Sequence, residues 1–167
     1  ITVEEGGTLA AEGISSAPIR FGPLPEAGGT WEGFVIEEGG AARFTYCETE
    51  GGGRGQALLT VRSSDVVMRH CAIRNNGHQG IFIRDPAYNP VFEDVEIVGA
   101  VLDAVEVDWP GRSPVFRDMD LKLCQRDVIY VRGDATVNHD VVWHDAGAPY
   151  LMGARLAVDT SGALLVE

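Results

Sequence analysis

"FEDVEI", at 92–97, decides the fold, because the same pattern of residue types stands on either side of it. "MRHCAI" at 68–73 precedes it, "FRDMDL" at 116–121 follows it, and "FTYCET" at 44–49 is an earlier copy. Phe44, Met68, Phe92 and Phe116 open the copies at intervals of 24 residues. Position three of the six-residue unit holds Tyr46, His70, Asp94 and Asp118. Position four holds Cys47, Cys71, Val95 and Met119, and position six holds Thr49, Ile73, Ile97 and Leu121. A fifth, weaker copy is expected at Val137, His139, Asp140 and Val142, after a shorter turn. A lone strand or helix has no use for this spacing, whereas a chain that stacks one coil on the next requires it.

A second element repeats between the units. "LTV" at 59–61, "IFI" at 81–83, "VEV" at 105–107 and "IYV" at 129–131 alternate apolar, variable, apolar, and "FVI" at 34–36 is an earlier copy. Side chains along a strand alternate between its two faces, so the outer residues of each triplet point inward and the middle one outward. Each period of about 24 residues thus carries two or three short strands and a polar turn such as "RDPAYNP" or "DWPGRSP". Leucine-rich repeats need a leucine and asparagine pattern that is missing, and propeller blades need a period of about 40 residues or more. A left-handed β-helix would show a six-residue apolar repeat, which is also missing. The expectation is an all-β chain, a right-handed parallel β-helix with rungs of about 24 residues forming one domain over 1–167.

The unit apolar-x-polar-small-x-apolar resembles the parallel β-helix repeat of the pectate-lyase-like superfamily. The opening "GTLAAEGISSAPIRF" and "GTWEGFVI" are similar to the first coils of bacterial surface β-helix proteins. In that superfamily an asparagine often fills position three at a tight corner and stacks into a ladder. This chain departs from it, with Tyr46, His70, Asp94, Asp118 and His139 there. The resemblance implies the fold and an extracellular or cell-surface setting. It also implies that the triplet strand is where related lyases and hydrolases often carry their active sites. One fold hosts many functions, so the residues must argue the rest.

Composition sets further bounds. The formal net charge is −12 and Lys122 is the one lysine, which opposes nucleic-acid binding because phosphate contacts need clustered Lys and Arg. No stretch approaches the ~20 apolar residues of a membrane span. Both ends, "ITVEEGGTLAAEG" and "RLAVDTSGALLVE", read as strands rather than polar caps. Solenoid ends need covering, so a segment of a longer chain, or end-to-end or edge-mediated assembly with a partner or a second copy, is expected.

The outward face of the triplet strands concentrates the candidate chemistry. Its middle residues are Thr60, Phe82, Glu106 and Tyr130, followed by Arg62, Arg84, Asp108 and Arg132. Phe82 and Tyr130 flank Glu106, Asp108 lies between Arg84 and Arg132, and Trp109 follows in the turn. Rings stack on sugar faces while charged groups bond hydroxyls or carboxylates, so Phe82, Arg84, Trp109, Tyr130 and Arg132 are candidate polysaccharide contacts. Glu106 and Asp108 are the candidate catalytic pair. Two apart on one strand face, they sit roughly 6–7 Å apart at the backbone, compatible with the ~5–9.5 Å that glycosidase carboxylates span. The paired aspartates, Gly-His-Gly and Arg-Ile-Lys of polygalacturonases are missing, and "NGHQG" at 76–80 reads as a turn. The leading expectation is therefore a non-enzymatic scaffold or binding module of a secreted or surface protein, with a polysaccharide or protein partner. A polysaccharide lyase or glycoside hydrolase-like domain is the rival.

Three smaller signals remain. Asp103 and Asp127 are 24 apart, so stacking would bring them within reach of one Ca²⁺, the ion such oxygens suit; backbone carbonyls and water would have to complete the shell. No other cofactor is indicated. "NHDVVWHDAG" at 138–147 holds His139, Asp140, His144 and Asp145, but no nucleophile accompanies them, and corner and surface roles are expected. Cys47 and Cys71 share a column on successive rungs. Buried free thiols are expected there, with a disulfide as the alternative in a secreted protein.

Overall fold

The structure is a computed structural model that describes residues 1–24, 31–63, 65–84, 89–108, 114–153 and 155–167. Short strands follow one another coil by coil. The first coil carries β1 (Thr2–Val3), β2 (Thr8–Glu12) and β3 (Ile19–Phe21), and the second β4 (Phe34–Ile36), β5 (Ala41–Thr45) and β6 (Cys47–Glu50). Then come β7 (Leu59–Val61) with β8 (Val66–Arg74), β9 (Ile81–Arg84) with β10 (Val91–Val98), and β11 (Asp103–Asp108) with β12 (Val115–Lys122). The last two coils hold β13 (Arg126–Arg132), β14 (Ala135–Val137) and β15 (Asp140–Trp143), then β16 (Tyr150–Met152), β17 (Leu156–Val158) and β18 (Ala163–Val166).

Equivalent strands pair in parallel across coils. One seven-stranded sheet runs β1-β4-β7-β9-β11-β13-β16. A second, of β2, β3, β5, β6, β8, β10 and β12, faces it across the core. The register is that of the repeat: Met68↔Phe92↔Phe116 in the second sheet, and Leu59↔Ile81↔Val105↔Ile129 in the first. Two such parallel sheets, each strand lying beside its counterpart one period earlier, make a parallel β-helix.

Burial follows the repeat. Phe44, Met68, Phe92 and Phe116 are buried in one column, and the Phe92 and Phe116 rings stack at 5.4 Å. Cys47, Cys71, Val95 and Met119 fill the next column. Between these columns the backbone turns sharply at Tyr46, His70, Asp94 and Asp118, whose φ values are 48°, 52°, 52° and 51°. That left-handed conformation costs most residues but is tolerated by Asp and His. The polar ladder at position three is thus a ladder of corners, as the repeat predicts. His70 Nδ1 lies 2.7 Å from Asp94 Oδ2, and the Tyr46 ring stacks on His70 at 4.7 Å.

The fifth copy departs from expectation. Its corner takes two residues, Asn138 and His139, so Val141 and Trp143 are buried while Asp140 is exposed. There β14 pairs with β17 and β15 with β18, in two separate two-stranded sheets. Among the described residues no helix is long and apolar enough to cross a membrane.

Candidate functional site

The outward face of the first sheet is built by β9, β11 and β13, whose register sets Phe82 beside Glu106 and Glu106 beside Tyr130. Strand alternation predicts Glu106 in solvent, yet it is only 4% exposed. Its neighbours account for the difference. Phe82 and Tyr130 wall it on both sides, and Arg132 reaches back until its guanidinium carbon stands 5.4 Å from the Phe82 ring centre. A guanidinium over an aromatic face is held by the ring quadrupole, and its stem shields what lies beneath. Thr60, expected outward as well, is buried too.

Two groups meet the Glu106 carboxylate. Gln79 Nε2 donates to Oε2, and Arg132 Nε stands 2.7 Å from Oε1. The Arg132 contact is an ion pair out of line for a hydrogen bond, so buried Oε1 has electrostatic compensation and no aligned donor. Arg132 Nη2 also lies 3.5 Å from Asp108 Oδ2, and one arginine thus bridges the two candidate catalytic carboxylates. Gln79 is in turn bonded to His78 through its Oε1, and Asn76 Nδ2 donates to His78 O at 2.7 Å. The "NGHQG" turn therefore supports Glu106 rather than standing apart from it.

Asp103 and Asp127 do not come together as the 24-residue spacing predicts. The register slips between Asp103 and Val105, and Arg126, one residue earlier than Asp127, stands opposite Asp103. Arg126 forks onto both carboxylate oxygens of buried Asp103, with Nη2–Oδ2 at 2.7 Å, and its guanidinium carbon lies 4.0 Å from the Tyr130 ring centre. Asp127 turns away and accepts the Cys124 N–H at 2.8 Å. The carboxylate beside Asp103 is thus replaced by a cation. Tyr130 also packs over Gly153 of the next coil, where any Cβ would collide with its phenol. Arg84 is exposed at the rim, and Trp109 lies outside the described residues.

Gln79 and Arg126 escape a reading by alternation. Gln79 precedes its strand, and Arg126 is recognisable only once the slip is known. Arg126 did leave one signal, a cation adjacent to Asp127 and nearly a full period after a buried aspartate.

The second sheet also carries paired charge. Arg69 Nε and Glu93 Oε2, paired in register on neighbouring rungs, are 2.9 Å apart. Glu48, Glu96 and Asp120, the fifth residues of their copies, are each paired: Glu48 with Arg20, Glu96 with Arg74 and Lys122, and Asp120 with Lys122. A cavity of about 540 Å³ opens beside Arg20, Phe21, Glu48, Glu50 and Asn75. A smaller one of about 270 Å³ lies between the Tyr46–His70–Asp94 corners and Glu48, Ala72 and Glu96. His139 Nδ1 lies 2.9 Å from Asn138 Oδ1, and His144 Nδ1 lies 2.8 Å from Glu167 Oε2. Among the described residues no three His, Cys, Asp or Glu side chains cluster as metal ligands would.

Comparison with known families places the chain: a model described as "right handed beta helix region" matches residues 27–161. The chain belongs to the right-handed β-helix family. Comparisons with curated proteins and with solved structures each returned no match.

Proposed function

We propose that this right-handed β-helix chain is a non-enzymatic scaffold or binding module of a secreted or cell-surface protein, offering its sheet faces to a polysaccharide or protein partner. One observation carries the reading. The acidic groups on the outward face of the first sheet are bound by arginines of the same face, Asp103 by Arg126, and Glu106 with Asp108 by Arg132. A general acid or nucleophile faces its substrate, whereas Arg126 closes both oxygens of Asp103 and Glu106 lies buried beneath Arg132, so these carboxylates brace neighbouring rungs. The net charge of −12 sets nucleic acid apart as a partner.

A carbohydrate-active reading rests on Glu106 Oε1, a buried oxygen without an aligned donor between two aromatic rings. A panel of acidic and neutral polysaccharides, assayed with and without Ca²⁺ for binding and chain cleavage, separates the two. The scaffold reading expects no cleavage in any condition. Cleavage that disappears in Glu106→Gln and Asp108→Asn would overturn it and make Arg84 and Arg132 subsite residues.

A further inference from the structure

We infer that Cys47 and Cys71 form a peroxide-reactive dithiol that closes to a disulfide between neighbouring rungs. Both are reduced in the structure, 1% and 5% exposed. Glu48↔Ala72 and Thr49↔Ile73 are paired in register, which stacks Cys47 on Cys71. Neighbouring strands lie about 4.8 Å apart, inside the ~4.4–6.8 Å window of disulfide Cα separations; the Cβ atoms have only to draw together by about an ångström. Cys47 follows the Tyr46 corner at the start of β6, and its backbone N–H goes to sulfur.

The two residues already touch: the Cys47 N–H donates to Cys71 Sγ at 3.4 Å, while Cys71 Sγ lies 3.1 Å from Arg69 O and Cys47 Sγ lies 3.2 Å from Ala11 O. The contact with Cys47, together with burial, pushes the Cys71 thiol up. In each step the sulfur that attacks does so as a thiolate. Access comes from the 270 Å³ cavity, which both cysteines line together with Tyr46, His70 and Asp94. Elsewhere the column is apolar, with Ile19, Val95 and Met119, so no other sulfur but that of Met119 competes. A cavity of this size admits hydrogen peroxide more readily than a bulky disulfide.

The chemistry balances with peroxide as oxidant. One thiolate of the pair attacks one peroxide oxygen, the O–O bond breaks, and hydroxide leaves, giving a sulfenic acid. The other sulfur gives up its proton and attacks the oxidised sulfur, the S–O bond breaks, and that proton with the departing hydroxyl forms water. Overall, two thiols and one peroxide yield one disulfide and two waters.

The test treats reduced native protein and Cys124→Ser with hydrogen peroxide, then unfolds and alkylates both for peptide mapping. The expected result is a peptide pair joined through Cys47 and Cys71, with a thermal midpoint raised by about 5–10 °C and restored by reductant. In Cys71→Ser or Cys47→Ser the remaining thiol stops at the sulfenic acid and is trapped by dimedone. Full alkylation of both thiols after peroxide, or their sulfonic acids without a linked peptide, overturns the proposal and leaves the pair as inert packing. The mapping on native protein decides this even if a serine variant fails to fold.

Discussion

At Asp118 the chain holds φ at 51°, as it does at the three equivalent corners. Only the side chain at such a corner is free to vary, because the backbone is fixed by the rungs before and after it. A β-branched residue resists the left-handed conformation, so Asp118→Val should cost about 1–2 kcal/mol in denaturant unfolding. Asp120→Val, two residues on in extended strand, should change stability little, since its lost pair with Lys122 is at the surface. Equal losses at both positions would show that charge, not backbone, sets the corner. A different residue-scale test concerns Glu106. Removing Arg132 leaves a buried carboxylate uncompensated, and Arg132→Ala should lose about 1.5–3 kcal/mol, below the fully buried range because half the arginine stays in water. Adding Glu106→Gln to Arg132→Ala should recover part of that loss, a coupling readable in a double-mutant cycle.

Between corners, each strand contributes the same layers to the core, and the element is where the sequence was most legible. Phe92, buried and stacked on Phe116, should lose about 3–5 kcal/mol as Phe92→Ala in equilibrium unfolding. The period of 24 predicted this column because core volume repeats once per coil, and the paired registers agree residue for residue from Phe44 to Phe116. Alternation failed at Glu106 for a local reason: it tells which face a side chain leaves from, while Phe82, Tyr130 and Arg132 decide whether water reaches it. Spacing failed at Asp103 because one slipped residue exchanges Asp127 for Arg126, and a slip leaves no trace in a count. The fifth copy failed because its corner grew by one residue and moved the buried positions to Val141 and Trp143. Near that coil, β16 brings a further consequence. Burial, with the Asp145 charge, pushes the Tyr150 phenol up to about 12, and its hydroxyl donates to His144 O at 3.1 Å. A raised pKa means the neutral phenol is favoured in the fold. Its contribution is complete below the ordinary tyrosine value near 10 and lost as pH climbs towards 12. Thermal midpoints should therefore fall between pH 10 and 12, and Tyr150→Phe should remove that part of the fall; an unchanged slope in the variant would assign the fall to other groups.

For the whole molecule, stacking makes stability a matter of neighbours. Each coil touches only the coils before and after it, so opening can begin at one place without unfolding the rest. The middle coils hold the longest strands, β8, β10 and β12, each with apolar residues buried at alternate positions. The last coil is thinner: β16, β17 and β18 are three or four residues long, and Leu151, Met152, Val158, Leu165 and Val166 are exposed. Hydrogen exchange should grade accordingly. Amides of β10, paired on both sides by β8 and β12, should exchange slowest, and those of β17 and β18, which among the described residues pair with β14 and β15 alone, should exchange faster by at least two orders of magnitude. A substitution should then act by distance along the stack. Phe92→Ala should loosen β8, β10 and β12 together while leaving β17 and β18 at their native rates, because those strands open before the lesion is felt. If every amide in the chain instead quickened by one common factor, the coils would unfold as a single cooperative unit, and the quasi-one-dimensional account of this β-helix would have to be given up.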